Sequence, residues 1–261
     1  MELLVTGASG VLGSRVTRLA EARGHMVRRL SRQDRGEGWM VGDVAAGTGL
    51  DEAITGVDAV VHCASDPRNH RATDVTGTRR MATAARNAGG IHIVFPGIVG
   101  SDVIPLGYYR SKTAAEEILD GSGLPISIQR YTQFHELLWL LMSMLTKPPL
   151  AIVPHDTRFQ VLDAAAAARH LVDAAEGDPA GRMPDLGGPT AYEARDLARS
   201  VAAALDRKRK VIGINVPGLV GAAFRAGGNL TPNRDDTGAT WNDFIARKMR
   251  NRPDAGEVAA D

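Results

Sequence analysis

Short β-rich runs alternate with stretches of helical periodicity through the first half of the chain. Leu3-Leu4-Val5 is the first such run. Leu12, Val16, Leu19 and Ala20 then recur at the interval that places them on one face of a helix, and Gly24 marks its end. His25 to Leu30 reads as a second strand, the run around Trp39-Met40-Val41 as a third and Ala59-Val60-Val61-His62 as a fourth. A helix is expected from Asp74 to Ala88, with Met81, Ala84, Ala85 and Ala88 on one side, followed by a fifth strand from Ile91 to Phe95. Another helix from about Tyr108 to Leu119 leads into a sixth strand, Pro125 to Gln129. Strands separated by crossover helices predict an α/β fold with a doubly wound parallel sheet of the Rossmann kind.

Beyond that point the rhythm changes. Phe134 to Leu145 is a dense apolar helix candidate, ended by Pro148-Pro149, which lack the N–H donors to continue it. Asp163 is placed to cap a helix whose Ala164, Ala167, Ala168, Leu171, Val172 and Ala175 form one stripe. Thr190 and Glu193 have the spacing of a capping box before another stripe from Ala194 to Leu205, and a last helix carries Trp241, Phe244, Ile245 and Met249. The expected division is a Rossmann domain over 1–133 and a smaller C-terminal substrate region over 134–261, with 160–188 packing back on the sheet. The tail after Pro253 is polar, and Arg207-Lys208-Arg209-Lys210 reads as a solvated turn.

Composition narrows the partners. The 261 residues are 44% hydrophobic and 23% charged, enough apolar material for a substantial core. Thirty-one Lys and Arg against 30 Asp and Glu leave no global field to attract nucleic acid or an anionic membrane. The one cysteine, Cys63, forms no intrachain disulfide, which fits a reducing cytoplasm. The most apolar segment falls far short of the roughly 20 residues that a membrane span needs. No metal is expected, because the seven histidines are scattered without ligand spacing. No Gly-x-Ser-x-Gly elbow supports a serine hydrolase.

The turn between the first strand and the first helix carries Thr6-Gly7-Ala8-Ser9-Gly10-Val11-Leu12-Gly13, with a glycine at every third position. A phosphate at a helix N-terminus meets free backbone N–H groups and the positive end of the helix dipole, provided that no side chain blocks it. Gly7 permits the tight turn, Gly10 the approach of a pyrophosphate and Gly13 the packing of helix on strand, with Ser9, Val11 and Leu12 completing the loop. The second strand ends in Leu30-Ser31-Arg32, where an acid would otherwise accept the ribose hydroxyls of NAD. Arg32, assisted by Ser31 and Arg28, suits a 2′-phosphate, so NADP is expected over NAD, with NAD as the alternative. Asp43 and Val44 are placed to flank adenine, and Cys63, Ala64 and Ser65 to leave room for the cofactor. Plain packing is the alternative for both sets.

Together with this fingerprint, Tyr108-Tyr109-Arg110-Ser111-Lys112 and the order of elements resemble the short-chain dehydrogenase/reductase superfamily, in its extended and atypical NmrA-like branch. The segments Ile98-Val99-Gly100, Ala114-Ala115-Glu116 and Gln129 to Phe134 are similar to bacterial members. Tyr108 and Lys112 stand four apart and share a helix face, where a nearby ammonium favours a tyrosinate. The resemblance implies that Lys112 also binds the nicotinamide ribose and that a serine follows the fifth strand. Here the matching position is Gly97, and Ser101, Thr132 and Gln133 are the remaining donors nearby.

The expected function is NADP-dependent reduction of a small apolar carbonyl, enone or quinone, with Tyr108 as proton donor. The rival is a non-catalytic NAD(P)-binding sensor or scaffold of the NmrA-like type. An epimerase or dehydratase is a third reading on the same fold.

Overall fold

The computed structural model describes residues 1–251; the polar tail after Pro253 lies outside them. The chain begins with β1 (Glu2–Thr6), α1 (Val11–Ala22), β2 (Met26–Ser31), β3 (Trp39–Val41), α2 (Leu50–Ile54) and β4 (Ala59–His62). A π-helical turn, Arg71–Thr76, runs directly into α3 (Gly77–Asn87), and β5 (His92–Ile98), α4 (Gly107–Asp120) and β6 (Ile126–Tyr131) follow. Then come α5 (His135–Leu145), β7 (Leu150–Pro154), β8 (Arg158–Gln160), α6 (Ala164–Glu176) and β9 (Gly181–Arg182). The last elements are β10 (Ala191–Glu193), α7 (Ala194–Ala204), β11 (Lys210–Ile214), α8 (Gly218–Arg225) and α9 (Trp241–Arg250).

Seven parallel strands form one sheet in the order β3-β2-β1-β4-β5-β6-β9. The chain starts in the middle, builds outward through β2 and β3, then crosses to the other side of β1. This reversal between β1 and β4 is where an open α/β sheet offers a crevice at the carboxyl ends of its strands.

Period-two alternation sorts the strand residues onto two buried faces. Leu3, Val5, Val61 and Val94 point to α1 and α6, where Val16 and Ala20 meet the alanine stripe Ala166–Ala168. Leu4, Val60, Ile93 and Phe95 point the other way, to Met81 and Ala85 of α3 and Ala115 and Leu119 of α4. A third core lies off the sheet, where Leu138 and Met142 of α5 pack with Leu197 and Val201 of α7 and Trp241 and Phe244 of α9.

Several expectations change in detail. The helix expected from Asp74 starts a turn earlier, at Arg71, and starts as a π-helix. Asp163 caps α6 as expected, accepting from Ala165 N at 2.9 Å. No capping box forms at Thr190, because Ala191–Glu193 is drawn into an antiparallel pair with Arg158–Gln160. The box sits instead at α9, between Thr240 and Asp243. Arg207 and Arg209 are not simply solvated: they donate to the carbonyls of Ser143 (2.8 Å) and Thr146 (3.3 Å), closing the end of α5.

His135 opens α5 inside the third core, stacked on Phe244 at 5.1 Å between centroids, with both ring nitrogens unpartnered. Burial pushes its pKa down to about 4, with Asp163 opposing and Arg247 and Arg15 reinforcing the fall. The folded state therefore resists a proton that the unfolded chain accepts near pH 6.5. Its contribution is whole above that value and is lost as pH falls toward 4, at a cost of roughly 3 kcal/mol per imidazole so placed. His135→Phe keeps an aromatic ring and removes the titration. Thermal melts between pH 7 and 4.5 are expected to show a smaller loss of Tm for this variant than for the wild type; parallel acid limbs would contradict the assignment.

Candidate active site

A cleft of 400 Å³ opens at the sheet reversal. Its floor is the β1–α1 turn, where Gly7 has φ +62°. A side chain on Gly7 would meet the backbone of Cys63 and Ala64 at 2.8 Å, so the turn and the loop after β4 close on each other only with glycine here. Behind it, a Cβ on Gly13 would overlap the carbonyl oxygen of Gly7. The N-cap of α1 is Gly10, with no side-chain cap and no acid in the first turn, which leaves the N–H groups of the helix end free for an anion.

Of the residues expected around a dinucleotide, Gly7, Ser9, Gly10, Ser31, Arg32, Asp43, Val44, Cys63, Ala64 and Ser65 all line this cleft. Val11, Leu12 and Gly13 do not: Val11 is exposed, Leu12 packs into the α1–α6 core and Gly13 lies behind the turn. Arg28 is turned away, bound to Glu2 and to the carbonyls of Ala53 and Thr55, and is unavailable to a 2′-phosphate. A second guanidinium takes its place. Arg35 lines the cleft beside Arg32, donates to Ser31 Oγ at 3.1 Å and lies over the Trp39 ring. Its signal in the sequence was its position three residues past Arg32 in the same loop.

Thr6, at the end of β1, fixes the far wall. Its hydroxyl accepts from Ala64 N at 3.1 Å and is hydrogen-bonded to His62 Nδ1 at 2.7 Å. His62 is fully buried, and burial, reinforced by the Lys112 ammonium and opposed by Asp74, holds its pKa at about 4. It is a neutral strut. Burial likewise pushes the Cys63 thiol up to about 12, against the pull of Lys112, which removes it as a nucleophile.

Tyr108 stands in the first turn of α4, and its hydroxyl lies 2.8 Å from Ser65 Oγ. Ser65 in turn donates to Asp74 Oδ1 at 2.6 Å, and Lys112 Nζ lies 3.2 Å from the same carboxylate oxygen. A carboxylate only accepts, so the one proton of Ser65 is committed to Asp74 and the Tyr108 hydroxyl donates to Ser65. Lys112 is buried rather than open to the cleft: its ammonium also reaches the Pro96 carbonyl at 3.4 Å and sits 4.6 Å above the Phe95 ring. Burial by itself lowers the Lys112 pKa, but the negative charges available to Tyr108 and Asp74 outweigh it and the net shift is upward. Asp74 escaped sequence reasoning, because an acid at the expected start of a helix reads as an ordinary N-terminal residue.

The expectation about Gly97 changes. A Cβ on Gly97 would overlap Glu116 Oε1 and sit 2.8 Å from Arg130 Cγ, so a serine there would face the Glu116–Arg130 pair rather than Tyr108. Ser65, from the loop after β4, brings a hydroxyl to the tyrosine instead. Ser101 is buried and accepts from Thr113 Oγ1, the Thr132 hydroxyl is buried without a partner, and Gln133 donates to Tyr109 Oη at 3.4 Å. None of the three is bonded to Tyr108.

A family model described as NAD(P)H-binding matches residues 7–136, the segment that contains the cleft and the Tyr108 network. The match spans just under half of the chain, and the chain has a Rossmann-like α/β fold. The photosystem II assembly factor Ycf39 of Cyanophora paradoxa is 30% identical over 52% of the chain and 46% of its own length. An uncharacterised protein of Mycobacterium tuberculosis is 34% identical over 36% of the chain, which is 12% of that protein. The chain thus matches less than half the length of these relatives. Among solved structures, a nucleoside-diphosphate-sugar epimerase of Staphylococcus aureus superposes with TM-score 0.77 at 20% identity, covering 94% of this chain and 99% of the other. The NADPH-dependent quinone oxidoreductase QOR2 of Escherichia coli, complexed with NADPH, gives 0.77 at 18% identity, over 95% and 99%. A short-chain dehydrogenase/reductase superfamily protein of Agrobacterium tumefaciens with bound NAD gives 0.72 at 19%, over 96% of each chain.

Gly97→Ser tests the new placement. Glu116 is fully buried and ion-paired to Arg130 and Arg182, each at 2.7 Å. Overpacking of this kind typically costs about 1–3 kcal/mol, or roughly 5 °C in Tm for a chain of this size. The variant is expected to melt earlier without gaining turnover. Faster turnover at an unchanged Tm would put Gly97 back beside the tyrosine.

Proposed function

We propose that the protein is an NADP-dependent oxidoreductase that reduces an apolar carbonyl, enone or quinone, with Tyr108 as the proton donor. The observation that carries the reading is the Tyr108–Ser65–Asp74–Lys112 chain at the edge of a cleft with an uncapped helix N-terminus. The cleft fits a dinucleotide on its own terms. Gly7 and Gly10 leave the turn open to a pyrophosphate, and Arg32 and Arg35 stand where a 2′-phosphate would be met. When bound, NADPH supplies the hydride.

The remaining work falls to side chains. Tyr108 holds its proton on Oη and passes it to the substrate oxygen as negative charge develops there. The Ser65 hydroxyl, fixed by Asp74, keeps the phenol in one orientation, and it stabilises the tyrosinate that remains by turning its single proton from Asp74, which keeps Lys112, to the phenolate oxygen. Lys112 balances the Asp74 carboxylate and adds positive charge beneath the site. The region over 1–133 holds the cofactor, and that over 134–261 shapes the substrate cleft through the apolar α5.

The sensor reading draws on a specific observation: Lys112 is engaged by Asp74 instead of standing open to the cleft. Titration with NADPH and NADH, followed by a search for quinone- or carbonyl-dependent loss of reduced cofactor, separates the two. Tight binding with no turnover of any such compound would favour the sensor.

Arg32→Ala is expected to weaken NADPH roughly 10- to 100-fold, the loss of one charge-assisted hydrogen-bonded contact, and to leave NADH nearly unaffected. Equal losses measured by calorimetry would count against the 2′-phosphate assignment. Tyr108→Phe keeps the ring and deletes the proton, so kcat is expected to fall about 10²–10⁴-fold with little change in cofactor affinity. A variant that reduces an identified substrate at the wild-type rate would exclude Tyr108 as the donor.

A further inference from the structure

Next to the tyrosine pair lies a second chamber, of 370 Å³, which the cofactor and the proton-donor chain leave unused. Leu138 and Leu141 of α5, Phe159 of β8, and Val220 and Phe224 of α8 form its walls. Its polar groups gather at two places and are already bonded. At one, Tyr109 Oη accepts from Gln133 Nε2; at the other, Thr157 Oγ1 donates to the His155 carbonyl at 3.3 Å. No charged group lines the chamber, so nothing in it asks for an ionic ligand.

Its volume falls within the ~300–1,000 Å³ range of small-molecule clefts, which are lined mostly by apolar side chains. The chamber also adjoins the reaction centre. Tyr109, in its wall, follows Tyr108 on α4, and the two rings meet edge to face at 6.3 Å. On the opposite side Leu137, Leu140 and Met144 line it and are about half exposed, so it opens to solvent through an apolar rim.

We propose that this chamber is the tail subsite of the reaction centre and takes the hydrocarbon chain of an amphipathic carbonyl or quinone whose oxygen-bearing head lies at Tyr108. The proposal rests on the reductase reading and narrows its substrate class. At ~30 Å³ for each water-sized group, the chamber holds about a dozen chain carbons. A longer chain would continue past Leu140 and Met144 into solvent.

The test compares 2-methyl-1,4-naphthoquinone with its analogue bearing a ten-carbon alkyl chain at the 3-position, in steady-state assays with NADPH. The wild type is expected to show a KM about tenfold lower or more for the alkyl analogue, a gain that burial of two methylenes already supplies. Leu141→Trp, which fills the chamber from α5, and Val220→Trp, which fills it from α8, should each bring that KM ratio close to one. Turnover of both quinones without chain-length preference in the wild type would overturn the proposal. A second readout needs no turnover: fluorescence of dansylundecanoic acid bound to the cofactor-free protein, displaced by 1-dodecanol. Binding that both tryptophan variants abolish supports the chamber as a hydrocarbon site even if neither quinone is reduced, in which case the reductase reading alone fails. No binding of the probe to the wild type, together with no turnover of either quinone, overturns the tail subsite.

Discussion

Two opposite charges removed from water hold the centre of this molecule together. Asp74 and Lys112 are both almost wholly buried, and neither ion would stay there alone, because desolvating a single charge costs several kcal/mol that only its partner offsets. Asp74 comes from the π-helical turn before α3 and Lys112 from α4, so the pair locks two crossover segments together above β5. Phe95, on that strand, supports the ammonium from below. The same carboxylate oxygen that takes the lysine also takes Ser65, and through it orders Tyr108. The hydrogen-bonding geometry at the mouth of the cleft is therefore a consequence of how the helices are fastened beneath it.

A second fastening acts on the cofactor side. Thr6 is the last residue of β1, and its hydroxyl spans to the end of β4 and the loop after it by accepting from Ala64 and hydrogen-bonding His62. Burial keeps that imidazole neutral, so the link does not bring another charge close to Lys112. The close backbone approach permitted by Gly7 lies directly beside it. The cleft and the Tyr108 network thus share one loop, Cys63 to Ser65, whose two ends are held by different hydrogen-bond systems.

What was legible in the sequence follows from the range of each interaction. Strand alternation, the stripe on α1 and the glycines of the first turn are local patterns, and the elements they predict are present with boundaries shifted by up to three residues. Ser65, Asp74 and Tyr108 are a different matter. They meet because the fold brings the π-helical turn, the loop after β4 and the first turn of α4 to one place. Ser65 was read as a small residue that leaves room, since nothing near it in sequence announces a hydrogen-bond partner 43 residues away. Gly97 misled for the converse reason. Family alignment gives a position in the chain but not the direction of a side chain, and on β5 the period of two points that position at Glu116. The short strands β8, β9 and β10 carried too few residues to show any period.

The brevity of β3 and β9 has its own consequence, at the two margins of the sheet. One margin presents three residues and the other two. Beside the first, the guanidiniums of Arg29 and Arg35 lie over the Trp39 ring; the second carries Arg182, tied to Asp120 and Glu116. An exposed strand recruits other chains through a long ladder of unpaired backbone groups, and a ladder this short and this charged is a poor template for one. The sheet of seven strands is thereby kept from growing by accretion, and self-association at its margins falls to side-chain surfaces, where residue identity and shape can discriminate among partners.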